Sequence, residues 1–276
     1  MNAERVLFCD TNIIRYLLDA PSRASRFAVH LREEGLVHAI SLIQFTELLK
    51  LERYHAPLAQ LLFDAQSHIF RWWKGIVHDE AAAYPNTSGI HAMSRPNIAS
   101  HYPGKEGQDD LGRALAGGDL ELLWNEIEEQ KRRYKPVMDW LPSTRPRSNT
   151  PKAIDIDFTL HNHGVVLQVL RDIAPEFVET VQQHPDSFTP RLFPGAYLHA
   201  AYDYYRFILQ GMKSQPSDVL DIHQVFYIPY CGAAILEKSM AGLLSRLKNE
   251  RSLLGDVEIH SIRYARSITG TPKGSA

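Results

Sequence analysis

The feature that most constrains this chain is a short apolar run, Arg5-Val-Leu-Phe-Cys9, stopped by Asp10-Thr11-Asn12. The run is rich in strand formers, and the three residues that end it favour turns and helix caps. Ile13, Ile14, Leu17 and Leu18 then recur at helical spacing, so a strand feeds directly into a helix. Ser25 to Glu34 continues as a second helix that Gly35 ends, Val37-His-Ala-Ile40 reads as a strand, and Leu42 to Tyr54 is helical again with Ser41 as its cap. The alternation returns at the far end of the chain. Pro216-Ser217 opens a helix over Asp218 to Ile228, Pro229 stops it, and Cys231 to Leu236 forms a strand. Met240, Leu243, Leu244 and Leu247 make an amphipathic helix, Gly255 breaks it, and Val257 to Ile262 is a final strand. Strand and helix in alternation predict an α/β fold with a parallel sheet between helices.

The middle of the chain lacks that rhythm. Helical patterns over Leu58 to Val77, Leu120 to Tyr134 and Val165 to Gln182 are separated by breaker-rich loops, such as Tyr102-Pro-Gly104 and Pro142 to Pro151. Residues 1–55 and 195–276 therefore form one α/β domain, and residues 56–194 a large, mainly helical insertion. The chain has 276 residues, 44% of them hydrophobic, enough for one large core. Thirty Lys and Arg against 32 Asp and Glu exclude a uniformly basic protein, so any nucleic acid must be met by a local patch. Two cysteines, Cys9 and Cys231, are too few for a secreted disulfide framework. The longest run without a charge, Ile222 to Leu236, is too short for a bilayer, and Glu4, Arg5 and Asp10 stand where a signal peptide would be apolar. The expectation is a cytoplasmic protein with no membrane span.

Four acids fall at the edges of the α/β elements: Asp10 after the first strand, Glu47 in a helix, Asp221 near a helix start, and Glu237 after the strand ending at Leu236. In an open parallel sheet, ligands bind beyond the carboxyl ends of the strands, where Asp10 and Glu237 belong. Asp218, three residues before Asp221, can add a fifth carboxylate from the same helical face. Such a cluster repels itself unless a cation is present, and Mg²⁺ or Mn²⁺ suits carboxylate oxygens. Any one of these acids alone is equally well explained as a cap or a solvated surface group.

Val6-Leu-Phe-Cys-Asp10-Thr-Asn12, Ser41-Leu-Ile-Gln-Phe-Thr-Glu47-Leu-Leu, Ser217-Asp-Val-Leu-Asp221-Ile-His223 and Tyr227-Ile-Pro-Tyr-Cys231 resemble, in order, the motifs of PIN-domain ribonucleases. The resemblance covers the first 55 and last 80 residues or so. It implies a PIN-like short parallel sheet flanked by helices, and a metal-dependent endoribonuclease that hydrolyses single-stranded RNA, or flap DNA as in some members. It further implies that Asp10, Glu47, Asp221 and Glu237 are catalytic and, with Asp218, hold Mg²⁺ or Mn²⁺. Asn12 would support the first aspartate by hydrogen bonds, and Ser41 would stand behind the metal ligands as the cap of the Glu47 helix. One corner departs from the pattern: the family has a hydroxyl residue and then aspartate where this chain reads Ala234-Ile-Leu236-Glu237-Lys238. That departure motivates an alternative, a catalytically degenerate PIN-like module that binds nucleic acid or a protein partner. Small members of the family serve as toxins held by an antitoxin peptide, so an antitoxin or a second copy of the chain is a further candidate partner.

Single-stranded RNA needs cations and stacking surfaces. Lys131, Arg132, Arg133, Lys135, Arg145, Arg147 and Lys152 occur with only Asp139 as an acid among them, and Tyr134 and Trp140 interleave. The acids before that stretch, among them Glu126, Glu128 and Glu129, can pair with the cations and silence it. A competing metal site is His161-Asn-His163, whose alternate spacing puts two imidazoles on one face of a strand, with Asp155 and Asp157 nearby. His223 is expected to pack or hydrogen-bond beside the acidic cleft.

Overall fold

Strand β1 (Arg5–Cys9) lies at the middle of the fold, buried from Val6 onward. The fold is known from a computed structural model that describes residues 5–87, 93–95, 106, 109–110, 113, 120–144, 150–215 and 218–270. Successive side chains of a strand point to opposite faces. Val6 and Phe8 accordingly enter one hydrophobic core, and Leu7 and Cys9 the other. A strand that is apolar on both faces requires helices on both sides, which is the arrangement found.

The sheet runs β4-β3-β2-β1-β5-β6, with β2 at Leu36–Ile40, β3 at His68–Phe70, β4 at Met93–Arg95, β5 at Ala233–Leu236 and β6 at Glu258–Ser261. Five strands are parallel, and β4 runs antiparallel to β3 at the edge. In the central pairings Leu7 stands opposite His38 on β2 and Ala233 on β5. One face is covered by α1 (Thr11–Leu18), α2 (Pro21–Glu33), α3 (Leu42–Leu49) and α4 (His55–Asp64), through Ile13, Phe27, Leu48 and Leu58. The C-terminal helix Ile262–Thr269 adds Ala265 to that side. The other face is covered by α5 (Trp73–Ala83), then α6 (Leu120–Trp140) through Met138, then α7 (Pro151–Ile173) and α8 (Pro175–Gln183). There α9 (Pro194–Asp203), α10 (Asp218–Val225) and α11 (Lys238–Arg251) complete the layer, and the C-terminal helix is α12.

Several sequence expectations change. Leu58 to Val77 is not one helix: α4 ends near Asp64, Gln66 takes φ of 46°, and His68–Phe70 enters the sheet. The parallel sheet thus draws β3 from within residues 56–194, and the boundary at residue 55 does not separate the sheet from the rest. The helical pattern over Val165 to Gln182 divides at Pro175, which opens α8 as its first residue. His161 and His163 lie in the middle of α7, not on a strand. Residues two apart on a helix point to opposite sides, and His161 is half-buried while His163 is exposed. The paired-imidazole metal site is therefore excluded by geometry. Pro216, Ser217 and the Tyr102 loop lie outside the described residues.

From β1 the chain proceeds outward to β2 and β3 on one side, and later to β5 and β6 on the other. The strand order reverses between β1 and β5, and a crevice opens beyond their carboxyl ends. Both strand ends carry acids, Asp10 and Glu237. Truncating the centre of this sheet should be costly: Phe8→Ala is expected to lower stability in urea denaturation by about 3–5 kcal/mol. The same truncation at Leu160, 65% exposed, should change it by under about 0.5 kcal/mol.

Candidate active site

Asp10 joins the two halves of the sheet at the crevice. Its amide donates to Ile235 O at 2.9 Å. Its carboxylate accepts from Asn12 N at 3.1 Å, which caps α1, and from Glu237 N at 3.2 Å. Glu47 arrives on α3, whose start is set by a capping box between Ser41 and Gln44. The Gln44 side-chain amide also donates to Cys9 O, which pins that helix to the end of β1. Ser41 is thus a cap, as its position before the helix suggested.

Glu47 is held by two groups that the motifs did not single out. Thr11 Oγ1 donates to its Oε2 at 2.5 Å, and Gln224 Nε2 donates to the same oxygen at 3.2 Å and to Thr11 Oγ1 at 3.1 Å. Gln224 lies one helical turn after Asp221, so α10 presents both toward the crevice. Asn12 divides its roles: its backbone amide serves Asp10, while its side-chain amide donates to Glu237.

The electrostatics follow from this convergence. Burial pushes the Asp10 carboxyl up to about 6, the Asn12 and Glu237 amides pull it down, and the charges of Glu237 and Glu47 add to the rise. Burial also pushes Asp221 up to about 7, helped by the charges of Asp10 and Glu47 and opposed by Arg206. The structure therefore brings Asp10, Glu47 and Asp221, from three separate motifs, into one electrostatic neighbourhood, with Glu237 reaching it through Asp10.

Asp218 is engaged elsewhere. Arg206 Nη2 approaches its Oδ1 to 2.5 Å, and Gln215 N donates to Oδ2 at 2.6 Å. Arg206 sits on a π-helical stretch, Tyr204–Leu209, continuous with α9, and also donates to Tyr202 OH. Asp218 thus tethers the start of α10 rather than offering a free carboxylate.

The donor set suits a hard cation, since every candidate ligand atom is a carboxylate oxygen. Two of those acids, the buried Asp10 and the half-buried Asp221, repel each other, while Arg206, the cation that acts on Asp221, is committed to Asp218. In the present rotamers the other two face protein donors, and among the described residues no group of three or more Asp, Glu, His or Cys side chains is arranged around one ion position.

The basic stretch is largely neutralised in place. On α6, Lys131 pairs with Glu128 at 2.8 Å, Arg132 and Arg133 share Glu129 at 3.1 and 2.9 Å, and Lys135 pairs with Asp139 at 2.5 Å. Arg145 and Arg147 lie outside the described residues. Trp124, not Trp140, is the aromatic that meets cations, with Lys50 Nζ 3.2 Å and Lys131 Nζ 4.9 Å from its ring centroid. An open groove of about 720 Å³ lies closer to the acids and runs from Asn12 and Glu237 along α11, lined by Lys238, Ser239 and Arg246, whose guanidinium pairs with Glu250 at 2.7 Å. Lys238 makes no ion pair among the described residues and stands at the first position of that 14-residue helix, where backbone amides favour anions.

His223 packs as expected, its Nδ1 2.6 Å from Val219 O and its ring against Trp73 and Tyr134. Compared with known proteins, the chain matches no family model, no curated protein and no solved structure. Among the described residues no helix is long and apolar enough to cross a membrane.

The raised carboxyls have a consequence for stability. At Asp10 and Asp221 the folded protein binds the proton more tightly than the unfolded chain does, so their contribution falls as pH rises from the ordinary carboxylate range through about 6 to 7. Asp221→Asn should therefore stabilise the protein in EDTA by about 1–3 kcal/mol at pH 8 and have little effect near pH 4, read from urea denaturation at both values.

Proposed function

We propose that this chain is a PIN-like nuclease that hydrolyses phosphodiester bonds of single-stranded RNA with the help of Mg²⁺ or Mn²⁺. The observation that carries the reading is the convergence at the reversal point between β1 and β5 of Asp10, Glu47 and Asp221, one from each of the first three motifs, with Glu237 at the end of β5. In this reading residues 56–194 are an elaboration of the α/β domain that contributes β3 and the helices over one face of the sheet.

Asp10, Glu47 and Asp221 would hold the ion, with Glu237 at the rim. Bound there, a divalent cation supplies an activated water and stabilises charge at phosphorus. The chain's own groups prepare that chemistry. Thr11 and Gln224 orient Glu47, the Asn12 and Glu237 amides orient Asp10, and Arg206 keeps Asp218 away from the ion. Lys238 and the amides at the start of α11 receive the phosphates of a strand lying in the groove.

The second reading is a degenerate module that binds nucleic acid or a protein partner without cleaving. Glu237 turned toward Asn12, with Leu236 before it in place of a hydroxyl residue, favours that reading.

The two are separated by incubating labelled single-stranded RNA and DNA with the purified protein in Mg²⁺, Mn²⁺ or EDTA. The nuclease reading expects metal-dependent cleavage of RNA, lost by about 100-fold or more in folded Asp10→Asn and Glu47→Gln variants. Cleavage should increase with pH through about 6 to 7 and level off above, as Asp10 and Asp221 lose their protons. Lys238→Ala should raise KM severalfold with kcat largely kept. Absence of cleavage by folded wild-type protein with metal present would leave the binding module.

A further inference from the structure

Behind the acidic crevice the fold encloses a second concavity, of about 480 Å³, between α5, α6, α7, α9 and α10. Its size falls within the range of small-molecule sites, roughly 300–1,000 Å³. On α10 the two sites use opposite faces: Asp221 and Gln224 turn to the carboxylates, while Val219, Ile222 and His223 line the cavity. At 100° per residue these two sets point nearly back to back. The cavity is therefore distinct from the crevice and absorbed by none of the roles assigned above.

Its walls have a definite chemistry. Trp73, Tyr134 and the rings of His199 and His223 pack on one another as an aromatic wall of the cavity, with ring centroids 5.2 Å apart for Tyr134 and His223 and 6.2 Å for the two histidines. Val165, Val169 and Ile222 supply aliphatic surface. Two polar atoms of the lining residues, His161 Nε2 and Asp203 Oδ1, are buried without a hydrogen-bond partner. The charged side chains of the lining sit at the rim: Lys74 pairs with Glu126 and Arg133 with Glu129 at 2.9 Å each, Arg132 sharing Glu129, and the exposed Asp172 carboxylate accepts from Gln168 Nε2 at 3.1 Å. Burial drives His199 and His161 to their neutral forms, down to about 3 and 4, and raises Asp203 well above the carboxylate range.

We infer that this cavity is a binding site for an uncharged, planar aromatic or heteroaromatic small molecule, seated against Trp73, Tyr134, His199 and His223. Aromatic faces receive a flat ring by stacking or edge contact, and an inner wall of aromatic, aliphatic and neutral imidazole groups rejects an ion that must leave its hydration shell to enter. The same wall offers hydrogen bonds to a ring heteroatom or N–H through the imidazoles and the Asp203 carboxyl.

The test uses the whole chain and two fluorescent probes of similar shape, neutral N-phenyl-1-naphthylamine and anionic 8-anilino-1-naphthalenesulfonate. The neutral probe should bind saturably at one site, with the sulfonate at least about ten-fold weaker. Val165→Trp, which fills the cavity from a half-buried wall position, should weaken the neutral probe by about ten-fold or more. Gln168→Trp, at an exposed position on the rim, blocks the mouth with little risk to folding and should weaken it in the same direction. No saturable binding of the neutral probe overturns the inference. So does equal binding of the sulfonate, or neutral-probe binding that Gln168→Trp and a folded Val165→Trp both leave unchanged.

Discussion

The carboxylate of Asp10 joins parts of the chain that are far apart in sequence. Its two backbone partners belong to α1 and to the residue after β5, and its own amide continues the β1–β5 ladder to Ile235. A buried carboxylate that accepts two amides is satisfied as a hydrogen-bond acceptor, yet its charge is still expensive in that setting. The fold thus holds a group whose hydrogen bonds favour ionisation and whose burial and neighbours oppose it. The raised carboxyls of the crevice follow from that tension.

Around that point the protein spends uncharged polar groups to place charged ones. Gln44 ties α3 to the end of β1, Thr11 and Gln224 fix one oxygen of Glu47, and Asn12 turns toward Glu237. Arg206 and Asp218 form a buried pair one turn before Asp221, which keeps a cation near the acids without placing it among them. Removing one member of such a pair leaves the other charged and buried, so the pair constrains α10 as strongly as apolar packing does.

Much of the α/β layer was legible because its signals are local. Four apolar residues, Val6 to Cys9, followed by Asp-Thr-Asn define β1 and the cap of α1, and Ser41 with Gln44 marks the start of α3 in the usual cap spacing. The three-residue strands β3 and β4 escaped notice because so short a segment has no period, and their pairing partners lie elsewhere in the chain. His161 and His163 misled because alternation has meaning only on a strand. The acids of the site were visible as charges at element ends, but Thr11 and Gln224 look in sequence like ordinary cap and surface residues. Their role exists only once α1, α3 and α10 meet. The run of cations on α6 illustrates the converse: its charge and the acids beside it are evident in sequence, but the folded helix decides which of them pair, and the Lys135–Asp139 pair needs that helix to continue through Pro136.

The pairing of Leu7 with Ala233 and of Phe8 with Ala234 also fixes an order of events during synthesis. The first three strands can associate early, since β1, β2 and β3 are joined by short local connections. The remaining edge of β1 must wait while residues 71–232 emerge, at roughly 5–20 residues per second. Through that interval the apolar central strand has one bare hydrogen-bonding edge, and Asp10 has no Glu237 amide to accept from. Assembly of the crevice is therefore a late step of folding, and a nascent chain cannot possess the complete carboxylate cluster before its final strands have reached the sheet.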